Sequence, residues 1–199
     1  GSLSAENKIV ALEASTNTSK EFKVNLKLNG LKNIKLLNLA VTDKENKFLK
    51  FNESVKDWES SLTNNSFISS GSQKIKTTKI DYILKNQNLN KYSLFIKLDI
   101  EGNEFDAIKG GLKFIKKYSP FIIIELSKYN LHNNKENLNF LDYFLQKFDY
   151  SIYTTNKQKI KSTLILKILK NLDKSHQTIG NYYLIKNGSK IENIFLNHE

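Results

Sequence analysis

Residues 94–104 read LFIKLDIEGNE and residues 120–126 read PFIIIEL. The fold follows from these two runs and from what joins them. The apolar Leu94-Phe95-Ile96 opens a buried strand over 94–100 that ends in acids. Gly102 then permits a sharp turn, and Phe105, Ile108, Leu112 and Ile115 recur at helical spacing. Pro120 stops what precedes it and introduces the most hydrophobic run of the chain, apolar without alternation. That pattern belongs to a parallel strand covered on both faces. Strand, helix and strand in this order predict an α/β fold, doubly wound, with a mostly parallel sheet.

The rest of the chain extends the same alternation. Residues 8–13 (KIVALE) form a short strand ending in an acid. Phe22, Leu26 and Asn29 mark a helix over 18–29 that Gly30 stops. Residues 34–41 (IKLLNLAV) predict a second strand and 48–51 (FLKF) a third, as a hairpin partner. The polar, Ser- and Asn-rich stretch 52–74 around Trp58 reads as a loop. A short helix at 79–86, a helix at 137–148, a strand at 151–154, a helical segment at 163–172 and a strand at 181–186 complete the pattern. No repeat or linker divides it, so residues 1–199 are expected to form a single domain.

Composition narrows the function classes. A hydrophobic fraction of 39% fits a globular chain. No apolar run approaches the roughly 20 residues that span a bilayer. There is no cysteine, which excludes disulfides and thiolate metal sites and makes a reducing cytoplasm the expected location. The net charge of +11 invites a nucleic-acid reading, but every basic residue is Lys and Arg is absent. Arg is the usual bidentate reader of guanine and phosphate, and the lysines are spread along the chain. A solvated basic surface is the simpler account.

Ligands of a doubly wound sheet sit beyond the carboxyl ends of its strands. Glu13 ends the first strand, where an acid can accept hydrogen bonds from a nucleotide ribose, or simply be solvated. Asp99 and Glu101 lie two positions apart, so continued strand geometry would point both the same way. Glu104 falls in the first turn of the following helix, where negative charge is favoured. Glu125 sits in an apolar strand, is expensive to bury unpaired, and is expected to emerge beside Asp99.

The run Ile96–Glu104, followed by Ile108-Lys109-Gly110-Gly111 and by Pro120 through Glu125, resembles the signature half of the FkbM-like methyltransferases. Upstream, Val10-Ala11-Leu12-Glu13 resembles the strand whose acid holds a cofactor ribose. Asn25, Leu28 and Asn29 resemble the helix after it, and Asn38 through Asp43 the adenine-side turn. Thr77 through Asp81 is similar to the family's short helix, and Asn181 through Ile185 to its closing strand. The family's chains open with a strand and a glycine-containing loop that cradles the methionine part of the cofactor. Nothing like it precedes Lys8. The resemblance therefore implies a Rossmann-like domain that lacks its first strand and cofactor loop, N-terminally incomplete as it stands.

What the resemblance implies chemically is transfer of a methyl group from S-adenosylmethionine to a hydroxyl of a sugar, glycan or natural product. Glu13 would be the ribose ligand and Ala40 and Val41 the adenine neighbours. Asp99 would be the general base, with Glu101 and Glu125 positioning the acceptor. The same acids offer oxygen ligands for magnesium or calcium, although no His supports them locally and no metal is assigned. The rival from another class is a degenerate methyltransferase-like domain acting as a non-catalytic interaction module. One further segment stands apart. Leu164, Ile165, Ile168, Leu169 and Leu172 cover one side of 163–172 while Lys167 and Lys170 break the other. Such a basic amphipathic helix fits a membrane surface, the domain's own core or an oligomer contact.

Overall fold

The computed structural model describes residues 7–54, 69–86, 88–127, 135–165 and 178–197. Chain order begins with β1 (Ile9–Leu12), α1 (Thr16–Leu28), β2 (Ile34–Leu37) and β3 (Ala40–Val41). β4 (Phe48–Ser54), β5 (Ser69–Thr78) and α2 (Ile80–Ile83) follow, then β6 (Phe95–Leu98), α3 (Glu104–Lys109), α4 (Leu112–Tyr118) and β7 (Phe121–Ser127). The chain continues through α5 (Lys135–Phe148), β8 (Tyr150–Tyr153), β9 (Lys159–Ile160), β10 (Thr178–Lys186) and α6 (Lys190–Asn197).

The architecture is mixed α/β, and here the expectation of a doubly wound, mostly parallel sheet needs correction. The described strands fall into three sheets: β1-β2, β6-β7-β10-β8-β9 and β3-β5-β4. β1 with β2, β6 with β7 and β3 with β5 are parallel. β10 is antiparallel to both β7 and β8, and β4 is antiparallel to β5. The final strand reverses because it returns between β7 and β8, which removes the uniform direction that helical crossovers impose.

The main core lies on one face of the five-stranded sheet. Ile122, Ile124 and Leu126 of β7 point into it and meet Phe105 and Ile108 of α3, Ile115 of α4, and Leu141 and Phe144 of α5. Phe121 points to the opposite face and packs with Tyr153, Ile185 and Phe195. Two covered faces explain a strand without polar alternation. Each such side chain contributes roughly 1.5–3 kcal/mol by leaving water. Tyr150 ties the sheet to the preceding turn, donating from its hydroxyl to the Pro120 carbonyl at 2.9 Å.

Several boundaries move for physical reasons. The expected strand 34–41 is two strands in different sheets, broken at Asn38-Leu39. Residues 52–54 and 69–74, expected in a loop, are strand, while 55–68 lie outside the described residues. The helix after β6 is two helices, interrupted at Gly110-Gly111. Gly110 is where backbone meets backbone: a Cβ there would stand 2.1 Å from the Thr42 carbonyl oxygen. Asp81 of α2 caps α4 from a distance, its Oδ1 accepting from the Phe114 N–H at 2.8 Å. Residues 162–165 are helical and Ile165 is buried, but the rest of the amphipathic stretch 163–172 lies outside the described residues. Among the described residues no helix is long and apolar enough to cross a membrane.

Candidate active site

The C-terminal ends of β1 and β6 open on one cavity of about 310 Å³, at the small end of the range for small-molecule sites. β1 and the start of α1 supply Leu12, Glu13, Ala14, Ser15 and Thr18. Leu39, Ala40 and Val41 form a second wall with Phe51 of β4, and the turn after β6 supplies Asp99, Ile100, Glu101 and Asn103.

Glu13 is fixed by the turn that follows it. Its Oε1 accepts from the Ser15 N–H at 2.7 Å, and the Ser15 hydroxyl in turn accepts from the Thr18 N–H at 3.2 Å, capping α1. Burial raises the Glu13 pKa above its ordinary value, against the opposing pull of the Ser15 and Ala14 N–H groups. Asn38 locks the same turn from across the sheet. Its amide donates to the carbonyls of Glu13 at 2.8 Å and Ala14 at 3.1 Å, which is also why the strand 34–41 breaks there. Ala40 and Val41 are buried, and Asn103 donates to the Val41 carbonyl at 2.9 Å, joining the second wall to the turn after β6.

That turn differs from the expected continued strand. β6 ends at Leu98, and Glu101 (φ +51°) and Gly102 (φ +101°) both take the left-handed region. Glutamate is unusual there, and such strain collects at functional sites. What holds it is Glu104, a role beyond the helix N-terminal position expected for it. Glu104 is buried, and its carboxylate accepts from the N–H groups of Ile100 at 3.0 Å and of Gly102 at 3.1 Å. The turn brings Asp99 and Glu101 together with Glu125 of β7, one oxygen from each lying within 4.8 Å of the others.

Three acids so close must be neutralised in part. Lys97 lies 2.6 Å from Asp99. Glu125 is pushed up to about 7, first by burial, then by the Asp99 charge and a hydrogen bond with Asp99, with Glu101 and Glu104 adding to it. A lysine, and below about pH 7 a proton on Glu125, thus relieve the cluster, although the three carboxylates also have the chemistry to hold a divalent cation.

The structure therefore gathers Glu13, Ala40, Val41, Asp99 and Glu101 around one cavity and sets Glu125 against Asp99 and Glu101. The sequence reading gave no role to Ser15, Thr18 or Phe51, and took in Asn38 only as part of the adenine-side turn and Asn103 only as part of the signature run. A Ser three residues ahead of Thr18 at a helix start was a legible cap signal. Nothing local marked Phe51, or the bond of Asn103 to Val41, because the partners are remote in sequence.

The model of the methyltransferase FkbM domain family matches residues 3–152. Among solved structures, a crystal structure of methyltransferase FkbM from Methylobacillus flagellatus KT is similar, with a TM-score of 0.51 at 18% identity. The match covers 89% of this chain and 36% of that one, so the chain spans about a third of the solved protein's length and shares its fold over that part. No curated protein sequence matches. With the family model covering three quarters of its residues, the site just described among them, the chain belongs to the FkbM methyltransferase domain family.

Proposed function

We propose that the cavity between β1 and β6 binds S-adenosylmethionine and that the protein methylates a hydroxyl of a sugar, glycan or natural product. The observation that carries this reading is the pairing, in one cavity, of a fixed half-buried acid at the end of β1 with a strained acidic turn at the end of β6. The residues fit the cofactor. Glu13 has one carboxylate oxygen engaged by the Ser15 N–H, and a carboxylate can accept further hydrogen bonds from ribose hydroxyls. Ala40 and Val41 supply an apolar wall for a base.

The cofactor, when bound, supplies an electrophilic methyl on a sulfonium. Held by its ribose on Glu13 and by its base against Ala40 and Val41, it would give that methyl to the acceptor oxygen and keep the electron pair of the broken carbon–sulfur bond. Asp99 takes the hydroxyl proton, and Glu101 and Glu125 hold the acceptor in line. A protonated Glu125 suits this arrangement, because it can donate a hydrogen bond where three anions would repel. Lys97 sits on Asp99 and Glu125 takes up a proton as pH falls through about 7, so no cation is needed to offset the cluster and activity is expected to persist after dialysis against EDTA.

The test uses the full-length gene product. Calorimetric titration with S-adenosylmethionine should show binding that Glu13→Ala weakens by at least about tenfold. Transfer of labelled methyl to a panel of glycans and small hydroxyl compounds should fall at least ~100-fold in Asp99→Asn, with cofactor affinity nearly unchanged. No binding by the unaltered protein would refute the reading. Binding without transfer to any hydroxyl would favour the non-catalytic module.

A further inference from the structure

The acids after β6 stand between two neighbourhoods. On one side lies the cavity shared with Glu13, Ala40 and Val41. On the other, the sheet continues from β6 to β7 and then to β10. A cofactor seated in the cavity leaves the β7–β10 side for the methyl acceptor. The β10 residue nearest Glu125 is then the first side chain, beyond the acids themselves, that the acceptor meets.

That residue is Asn181. β10 runs antiparallel to β7, so it enters the sheet at the end where the acids are, and Asn181 pairs directly with Glu125. Residues paired in this way share a face, with Cβ atoms about 4.5–5.5 Å apart. Asn181 is exposed, and among the described residues nothing bonds to its amide. The backbone just before it is irregular. Thr178 pairs with Ser127 but Gly180 with Leu126, which leaves one extra residue in β10, a bulge. Gly180 takes φ +125°, where side chains are rarely tolerated, yet a Cβ there would meet nothing within 4 Å. Glycine therefore serves the bend and not a close contact. Such bulges re-aim strand ends beside active sites. Beyond the bulge the register is held by Tyr182, which is buried opposite Ile124, so Asn181 is kept on the Glu125 face.

The amide supplies what the acids lack. An ionised carboxylate only accepts hydrogen bonds, whereas a carboxamide donates from nitrogen and accepts on oxygen at any ordinary pH. The nearby cation, Lys97, is already engaged with Asp99. A lone hydroxyl at Asp99 would leave the amide unused. A second hydroxyl on the adjacent carbon could exchange one hydrogen bond with Glu125 and another with Asn181. Two positions further along the same face, Tyr183 and its partner Ile123 are half-buried and offer an apolar floor for the ring or chain that carries the hydroxyls.

We propose that Asn181 selects the methyl acceptor, favouring a hydroxyl whose neighbouring carbon bears a second one: Asp99 serves the reacting hydroxyl and Asn181 holds the other. The inference rests on the methyl-transfer reading of the site and narrows its acceptor to a vicinal diol. Asn181 is a binding residue here, on the acceptor side of Asp99, so its loss leaves the cofactor side intact.

Matched small probes test this on the full-length gene product loaded with S-adenosylhomocysteine. The vicinal cyclohexanediols, cis and trans, are titrated against cyclohexanol while the side-chain amide resonance of Asn181, assigned by its absence from Asn181→Ala, is followed. At least one diol should shift that resonance and bind at least about tenfold more tightly than cyclohexanol. Asn181→Ala, an exposed change that the fold should tolerate, should abolish the preference and leave cofactor affinity within about twofold. A preference that survives in Asn181→Ala overturns the proposal, as does an Asn181 resonance that neither diol moves at about 0.1 M. Either result in a protein that binds the cofactor leaves the methyltransferase reading standing. Absence of cofactor binding in the calorimetric titration would defeat that reading, and this proposal with it.

Discussion

β1 and β7 are built from the same kinds of residue and end in different circumstances. β7 is hydrogen-bonded on both sides, to β6 and β10, and its Ile122, Ile124 and Leu126 are wholly buried. β1, IVAL, is as apolar as its counterpart but among the described residues pairs with β2 alone and stays half-buried throughout. Burial is set by neighbours and not by composition. The lesson extends to the site, because its two halves hang on these unequal supports. The acids Asp99, Glu101 and Glu125 belong to the densely packed side, whereas Glu13 and its turn belong to the thinly covered one.

The comparison breaks most easily in the core. Ile124→Ala should cost about 2–5 kcal/mol, through lost burial and the cavity left behind. Val10→Ala in β1 should cost under about 1 kcal/mol, because its surroundings are open. Urea unfolding of both variants measures the difference, and equal losses would mean that β1 is as well supported as β7. Next comes the seam between the α3–α4 break and the turn after β3. Gly110→Ala puts a methyl 2.1 Å from the Thr42 carbonyl, so it should destabilise by about 1–3 kcal/mol in the same measurement. A neutral result would show that this contact yields freely. Asn38→Ala removes the donor to the Glu13 and Ala14 carbonyls. A loss of about 1–2 kcal/mol is expected, with S-adenosylmethionine affinity falling about tenfold as Glu13 loses its fixed position.

The smallest effect is the pH dependence carried by Glu125. Its folded pKa, about 7, lies above the ordinary 4.5, so the folded state holds a proton that the unfolded chain releases. The associated stability is complete below about pH 4.5 and is lost as pH rises through about 7. Thermal melts between about pH 5 and about pH 8 should therefore show a decline with rising pH, and Glu125→Gln should flatten it. An unchanged slope in the variant would assign the decline to another group.

Much of the dense half was legible because local pattern and tertiary role agree there. FIIIEL is apolar on both faces, and both faces are covered. That Asp99, Glu101 and Glu125 come together was legible for a similar reason, since acids that close apolar runs have few places to go. What was hidden depends on partners far along the chain. The break of 34–41 at Asn38 is caused by carbonyls 24 and 25 residues away, and IKLLNLAV itself carries no sign of it. The interruption at Gly110 is decided by Thr42. β5 opens with the polar SSGSQ, whose strand character comes from its hairpin partner β4 and not from any alternation of its own. Glu104 had the position of an ordinary helix-start acid, and only the left-handed turn before it makes it a buried anchor.

The proposed ligand site spans both halves, and amide chemical-shift mapping tests that most directly. S-adenosylmethionine titrated into the full-length protein should shift the amides of Glu13, Ser15 and Val41 together with those of Ile100, Glu101 and Asn103, all with one dissociation constant. Shifts confined to one of these groups, or two groups that saturate at different concentrations, would contradict a shared site.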